Sequence, residues 1–305
     1  ITRGVSPGAS SPRSLVTDVK PPMYAFGPHI GSSGGWELLD SFFTSAHVSP
    51  HPDSVIRELD AARADRKSIV LLLARSAGNY KNPDGTFSLE RWKSEIDQYA
   101  GFDFTPWVED GTLLAHYLIS EPMSRSRWGG EVIPVEVLDE MARYSKEHWP
   151  NLVTTVREQP TDMLIHAGGY ESPVAGWDWS YLDAGWARYS ARKGTIDDFI
   201  RDEVGAARSQ ELGLLFGMNA LAGGDGSSEA TGHEGGWLMS PEELLDYGAK
   251  LIDEPYGCAN FIWHLNHGGI PYFDQPEINA AMKDLAENAR RRDPISCASG
   301  GAAAS

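Results

Sequence analysis

Three carboxyl side chains follow apolar segments of the sequence, at points where buried strands are expected to end. Glu121 comes directly after the apolar run 112–119, and Glu158 and Asp183 follow two later segments. Hydrolysis of a glycosidic bond uses two such groups, one that donates a proton and one that attacks the sugar or activates water. We expect Glu121 to be the general acid. For its partner we rank Asp183 above Glu158, which sits beside Arg157, because neighbours on a strand point to opposite sides.

Other polar and aromatic side chains follow or lie within the same segments, and several could contact a substrate. Ten Trp and eleven Tyr are many for this length, and flat aromatic faces suit sugar rings. The predicted substrate-binding residues are His29, Arg75, Tyr80, His116, Arg157, Trp186, Asn219, Trp263 and His264.

The elements that would position these residues alternate between strands and amphipathic helices. Alternation of this kind predicts a parallel sheet covered by helices. Seven strands are expected, at 22–27, 68–74, 112–119, 152–157, 180–184, 212–219 and 258–264. We predict a single-domain α/β fold, a (β/α)8 TIM barrel whose eighth strand is not recognised among the seven. In such a barrel the residues that follow the strands meet at one mouth. An open sheet is the alternative, but the loop 31–35 lacks the glycine spacing of a dinucleotide site.

The 305 residues suit one such barrel with short ends. We expect a flexible N-terminal segment over 1–20, the catalytic barrel over 21–293 and a disordered C-terminal tail over 294–305, which is low in complexity. Cys258 and Cys297 are too few for a disulfide scaffold, and the sequence leaves open whether they form one bridge or stay free. No signal segment opens the sequence; a secreted or periplasmic location is favoured slightly over a cytoplasmic one.

Composition argues against several partners. The formal net charge of −17 opposes nucleic-acid binding. No apolar run approaches the roughly 20 residues of a membrane span.

The pairs His47/His51 and His264/His267 lack an acidic third ligand nearby, so no metal is expected. The loop 31–35 matches G-x-S-x-G but does not follow a well-buried strand, as a serine nucleophile would. No cofactor is predicted, and the expected partner is a carbohydrate.

The segment 116–122, His-Tyr-Leu-Ile-Ser-Glu-Pro, resembles the Asp-Glu-Pro strand end of several glycoside-hydrolase-like (β/α)8 barrels. The resemblance implies that Glu121 is the catalytic acid, and it does not assign a particular family. Ser120 stands where that pattern has Asp. In many retaining barrels of this kind the nucleophile lies on the seventh strand, but the seventh strand expected here, 258–264, carries no carboxylate.

The favoured function is therefore glycoside hydrolysis by carboxylate acid/base catalysis at the barrel mouth. Ser120 motivates one alternative, a carbohydrate-binding barrel that has lost its chemistry. The histidines motivate another, a different barrel enzyme such as a lyase or a metal-assisted hydrolase. The sequence does not identify the sugar, the linkage or the stereochemical outcome.

Overall fold

The computed structural model describes residues 19–29, 42–168, 178–228, 231–232, 235–263 and 272–298. Eight parallel strands form one sheet in the order β1-β8-β7-β6-β5-β4-β3-β2. They are β1 (Ala25–Pro28), β2 (Ser45–Val48), β3 (Ser68–Leu71), β4 (Leu113–Ser120), β5 (Thr154–Arg157), β6 (Ala184–Tyr189), β7 (Gly213–Met218) and β8 (Gly257–Ile262). The predicted (β/α)8 architecture is confirmed.

Helices surround the sheet, and their apolar faces pack against it. They are α1 (Val55–Ala64), α2 (Leu89–Asp97), α3 (Thr105–Glu109), α4 (Val135–His148), α5 (Pro160–Gly168), α6 (Ile196–Ser209), α7 (Pro241–Asp253) and α8 (Pro276–Arg291). Sequence signals fix several starts. Ser240, for example, caps α7 by exchanging hydrogen bonds with Glu243, three residues later. Within the described ranges, no helix is long and apolar enough to cross a membrane.

The sheet closes into a barrel where β1 meets β2. A parallel bridge joins His29 to His47, and the Thr44 backbone N–H donates to the Phe26 carbonyl at 3.0 Å. Gly27 permits this approach, because a Cβ there would collide with the backbone carbonyl of β2. The barrel is thereby nearly closed, which brings all eight strand ends to one mouth.

Two of the sequence-based strand assignments were wrong. The missed strand is β2, whose Ser-Ala-His-Val sequence has no apolar run. The strand predicted at 180–184 lies instead at Ala184–Tyr189. Counting β2 makes the segment 257–262 the eighth strand. The seventh is then Gly213–Met218, which is followed by Asn219, so no carboxylate follows either strand directly.

The barrel interior contains an aromatic layer contributed by the four even-numbered strands. His47 lies 4.8 Å from Tyr117 and 5.5 Å from Trp186, measured between ring centroids. Trp186 lies 5.2 Å from both Tyr117 and Phe261. Alternate strands fill each layer of such barrels. This layer therefore forms a solid floor beneath the mouth.

A disulfide closes the opposite end of the barrel. Cys258, near the start of β8, is bonded to Cys297, with a Cα–Cα distance of 5.3 Å. The sequence left open whether these two cysteines are bridged or free, and the structure shows that they form a disulfide. Residues 294–298, the first part of the predicted tail, are described, and Ile295 and Ala298 pack against the interior cluster. The remainder of that tail and most of the segment 1–20 lie outside the described residues.

Candidate active site

Glu121 lies at the mouth, directly after β4, and its backbone is held on both sides. Its N–H donates to the Arg157 carbonyl at 2.8 Å, and its carbonyl accepts from the Trp128 indole at 2.8 Å. The residue has φ of 51°, in the left-handed region that non-glycine residues rarely adopt. Such backbone strain costs about 1–3 kcal/mol and is common at functional sites. The loop therefore fixes the direction in which this carboxylate points.

Three arginines surround the Glu121 carboxylate. Arg157 and Arg188 each place a guanidinium nitrogen 3.1 Å from Oε1, and Arg127 places one 3.4 Å from Oε2. Burial acts to raise the pKa of this carboxyl group, but the guanidinium charges outweigh burial and hold the pKa below its usual value. Glu121 is therefore ionised at neutral pH, which does not suit the predicted role of proton donor.

Glu158 follows β5, the strand beside β4, and the pKa of its carboxyl group is shifted in the opposite direction to that of Glu121. Oε2 accepts a hydrogen bond from the Met123 N–H at 3.0 Å and Oε1 one from the Gln159 N–H at 3.2 Å. Burial raises the pKa of Glu158 to about 7, and the charges of Asp162 and Glu121 add to the increase. Glu158 can therefore carry a proton near neutral pH.

The wall beside these carboxyl groups is cationic and aromatic. The Arg157 guanidinium lies 3.8 Å from the centroid of the Trp263 ring, and Arg188 lies 5.2 Å from it. His29 lies 4.2 Å from the same ring on another side, and its Nδ1 makes a short contact with Nδ1 of His47. The structure thus brings His29, Arg157 and Trp263 together, and their role in substrate binding stays a prediction. His264 lies outside the described residues.

Asp183 does not lie at the mouth. It precedes β6, so it sits at the N-terminal end of the barrel, where its Oδ2 is 2.7 Å from the Lys146 ammonium. The same oxygen accepts hydrogen bonds from the Thr154 N–H at 2.8 Å and from the Thr154 hydroxyl at 3.0 Å. The placement of Asp183 as the second catalytic carboxylate was wrong because the strand begins where it was expected to end.

The prediction for His116 was also wrong. Its ring faces the helices, not the mouth, with Nδ1 2.7 Å from the Ser145 hydroxyl on α4. The ring is stacked on Trp92 and makes an edge-on contact with Trp149. Burial lowers the pKa of His116 to about 3, so the ring is neutral. Side chains alternate along a strand, and the inward position belongs to Tyr117.

Two further candidates lie away from the carboxylate cluster. Trp186 is 3% exposed and belongs to the aromatic floor. Arg75 follows β3 but bonds Glu95 of α2 at 3.0 Å and Gln98 just beyond it at 3.1 Å. Neither contacts Glu121, so their predicted roles in substrate binding receive no support.

Tyr80 and Asn219 follow β3 and β7, respectively. Tyr80 is buried and stacks on Trp128, with 6.0 Å between the ring centroids, and burial raises the pKa of its hydroxyl. It supports the loop that carries Arg127. Asn219 is half-buried directly after β7, and its N–H donates to the Tyr189 carbonyl at 3.1 Å.

The sequence did not single out Arg188 or Arg127. Arg188 lies two residues beyond Trp186 on β6, so both point inward, and a correct strand boundary would have indicated it. Arg127 comes from the loop after Glu121 and carried no sequence signal. Across the described parts of the chain, no cluster of three or more His, Cys, Asp or Glu could hold a metal ion.

No protein-family model and no curated protein matches this sequence. Solved structures do match its fold. A β-glucanase from Saccharophagus degradans in complex with cellotetraose has a TM-score of 0.56 at 9% identity, and the match covers 94% of this chain and 98% of that one. A β-1,4-mannanase of family GH113 gives 0.55 at 11% identity, covering 87% and 98%. An endoglucanase from Pseudomonas stutzeri gives 0.54 at 10% identity, covering 90% and 97%.

This chain has the (β/α)8 barrel fold of those glycoside hydrolases. Identity near 10% shows the fold and not the reaction. The predicted resemblance to glycoside-hydrolase barrels is confirmed at the level of architecture. In this (β/α)8 barrel, Glu121 directly follows the fourth strand.

Proposed function

We propose that this chain is a glycoside hydrolase in which Glu158 donates a proton and Glu121 acts as the ionised carboxylate. One observation carries the proposal. Glu121 and Glu158 follow neighbouring strands at the mouth, and their surroundings shift their pKa values in opposite directions. Such a divergence separates the acid from the base in enzymes that use two carboxyl groups. It reverses the role that the strand-end resemblance implies for Glu121.

The reaction would proceed by known carboxylate chemistry. Glu158, protonated near neutral pH, gives its proton to the leaving glycosidic oxygen. Glu121 either attacks the anomeric carbon or takes a proton from the attacking water. Trp263 and Arg157 form the wall beside them. The matched solved structures include a β-glucanase with cellotetraose and a β-1,4-mannanase, which makes polysaccharides the first substrates to test.

The test compares Glu158→Gln and Glu121→Gln with the parent chain on a panel of neutral and acidic polysaccharides, with release of reducing ends as the readout. Loss of general acid catalysis typically costs 10²–10⁴-fold. We expect losses of about that size in both variants, with the barrel still folded by circular dichroism. Glu109→Gln, an exposed position at the end of α3, is the control and should retain activity. Unchanged turnover in either site variant would remove that residue from the mechanism.

A second candidate function is carbohydrate binding without cleavage. Two features favour it: three guanidinium groups engage Glu121, and Asn219 follows β7 where many retaining barrels have their nucleophile. Measurable binding of a glycan that stays intact after prolonged incubation would select this function over hydrolysis.

A further inference from the structure

Glu203 is a buried carboxyl group on α6 that the proposed reaction does not use. The residue is 2% exposed, so it is not placed to touch a substrate. Its Oε1 accepts hydrogen bonds from the Gln159 side-chain amide and from the Thr161 hydroxyl, both at 2.7 Å. Its Oε2 accepts one from the Thr161 N–H at 3.1 Å. Three donors therefore point at this one carboxyl group.

This arrangement of donors suits the ionised form of Glu203. A protonated carboxyl group would bring one more hydrogen into a site that already holds three. Burial raises the pKa of Glu203, and the hydrogen bonds from Gln159 and Thr161 oppose that increase. Hydrogen bonds to an ionised group are about twice as strong as those between neutral groups. The contacts of Glu203 therefore tie the start of α5 firmly to α6.

The residues that Glu203 holds lie between the end of β5 and the first turn of α5. Gln159 directly follows Glu158, and Thr161 follows Pro160, the first residue of the helix. Proline has no N–H, so Thr161 carries the first N–H of α5, which has no acceptor inside the helix. Glu203 supplies the acceptor from another helix, and a negative charge at a helix N-terminus is favourable. Glu203 thus fixes the segment that follows Glu158.

Gln159 connects this fixed segment to the Glu158 carboxyl group. Its side-chain oxygen accepts from the Lys193 ammonium, and its side-chain nitrogen donates to Glu203. The amide lies between a cation and an anion, so only one of its two orientations satisfies both. The backbone N–H of Gln159 donates to Oε1 of Glu158 at 3.2 Å. It is one of two N–H groups that hold this carboxyl group, and the other belongs to Met123.

The charged groups that act on or respond to Glu158 come from three elements around it. They are Asp162 on α5, Glu121 after β4 and Lys193 after β6. Burial and the charges of Asp162 and Glu121 raise the pKa of Glu158, whereas the two backbone N–H groups lower it. Displacement of the Gln159 N–H should therefore raise the pKa of Glu158 further.

We propose that Glu203 is a positioning residue, which holds Glu158 in place for proton transfer through Gln159 and the first turn of α5. The inference rests on the proposed function in treating Glu158 as the proton donor. It goes beyond that function by adding a residue that does not touch the substrate. Proton transfer requires the donor to lie within hydrogen-bond reach of the leaving oxygen. A misplacement of about 1 Å can cost a factor of about 100 in rate.

The first measurement does not require activity. Urea denaturation at a series of pH values compares the parent chain with Glu158→Gln, and the same pair is measured in a Glu203→Gln background. The pH window over which the two stabilities diverge reports the pKa of Glu158. We expect the upper limit of this window to rise from about pH 7 by roughly one unit in the Glu203→Gln background, because a hydrogen bond that favours the ionised form is lost. An upper limit that stays at about pH 7 or falls overturns the inference.

Asp139→Asn is the matched control for a merely structural effect. Asp139 is a buried carboxylate on α4 that accepts hydrogen bonds from the backbone N–H groups of residues 180–182, at the N-terminal end of the barrel. This variant should lose stability, as Glu203→Gln does, but keep the pH window of Glu158 unchanged. An equal shift in the control would mean that general loosening moves Glu158, and it would overturn the inference.

Gln159→Leu provides a second variant of the same path. It removes the amide that joins Glu203 to Glu158 and leaves Glu203 in place. It should reproduce the rise in the pH window that Glu203→Gln causes, and combining the two changes should add little. The test therefore stays decisive if Glu203→Gln does not fold, and an unchanged window in Gln159→Leu contradicts the proposed path.

Kinetics test the same role through the leaving group. A glycoside with an alkyl alcohol or a second sugar as leaving group needs a proton from the general acid, whereas dinitrophenolate is stable enough to leave without one. Glu203→Gln should lower kcat/KM by up to about 100-fold for the first kind of substrate and leave it nearly unchanged for the second. Equal losses on both kinds overturn the positioning role and leave hydrolysis intact. If the parent chain cleaves neither, the proposed function fails, and the pH window alone decides whether Glu203 positions Glu158.

Discussion

Glu158 offers the most quantitative test of the site, because its protonation must affect folding as well as catalysis. Burial raises its pKa from the ordinary 4.5 to about 7. Below pH 4.5 both the folded and the unfolded chain carry the proton, so the shift contributes nothing to stability. Between about pH 4.5 and 7 the unfolded chain releases its proton while the folded chain retains it. Stability is therefore lost as pH rises through this window.

The size of the loss follows from the shift. Each pKa unit corresponds to 1.36 kcal/mol, so the folded chain is destabilised by about 3 kcal/mol above roughly pH 8. Glu158→Gln removes the charge and keeps an oxygen that can accept from the Met123 N–H. The free energy of unfolding of this variant, relative to the parent chain, should rise by about 3 kcal/mol from pH 4.5 to about 8.

Urea denaturation at a series of pH values measures this difference directly, because titrations shared by both chains cancel. Glu109→Gln serves as the exposed control, and its difference from the parent chain should stay flat across the same range. A flat difference curve for Glu158→Gln would refute the reasoning, since a carboxyl group with an ordinary pKa could not be the acid near neutral pH. If the chain is active, kcat/KM should fall above about pH 7 for the same reason.

Three further predictions concern residues that support the barrel. Asp183→Asn leaves the buried Lys146 ammonium unpaired and should lower the free energy of unfolding by about 3–5 kcal/mol, while kcat per folded molecule stays unchanged. Cys297→Ser opens a bridge that spans 39 residues and should cost about 4 kcal/mol in urea denaturation, and reductant should have no further effect on the variant. Gly217→Ala places a Cβ 2.8 Å from the Trp186 indole nitrogen. It should lower the free energy of unfolding by about 1–3 kcal/mol and shift the tryptophan fluorescence. An unchanged melting temperature would contradict this packing.

The sequence was sufficient for the architecture because the buried strands of a parallel barrel are apolar on both faces. It failed at β2. There the Ser45 hydroxyl donates to the Ser68 carbonyl on β3, and His47 belongs to the aromatic layer in the barrel interior. These contacts are satisfied by residues distant in sequence, so no local pattern marks the strand. One missed strand was enough to shift the numbering of the later strands.

The candidate site was partly predictable for a similar reason. Glu121 and Glu158 were found because a strand's C-terminal end is marked locally by the end of an apolar run. His116 was assigned to the wrong face because an unbroken apolar run does not reveal which residues point inward. The pKa values depend on burial and on arginines from other strands, which no local pattern encodes. The roles of the two carboxyl groups therefore emerged only from the assembled mouth.

The arginine cluster constrains the chemistry of Glu121. A carboxylate that accepts contacts from three guanidinium groups is well stabilised as an anion, so it is a weak base and a weak nucleophile. The same contacts that keep Glu121 ionised therefore also favour the second candidate function, carbohydrate binding without cleavage, and the comparison of Glu121→Gln with the parent chain decides between the two.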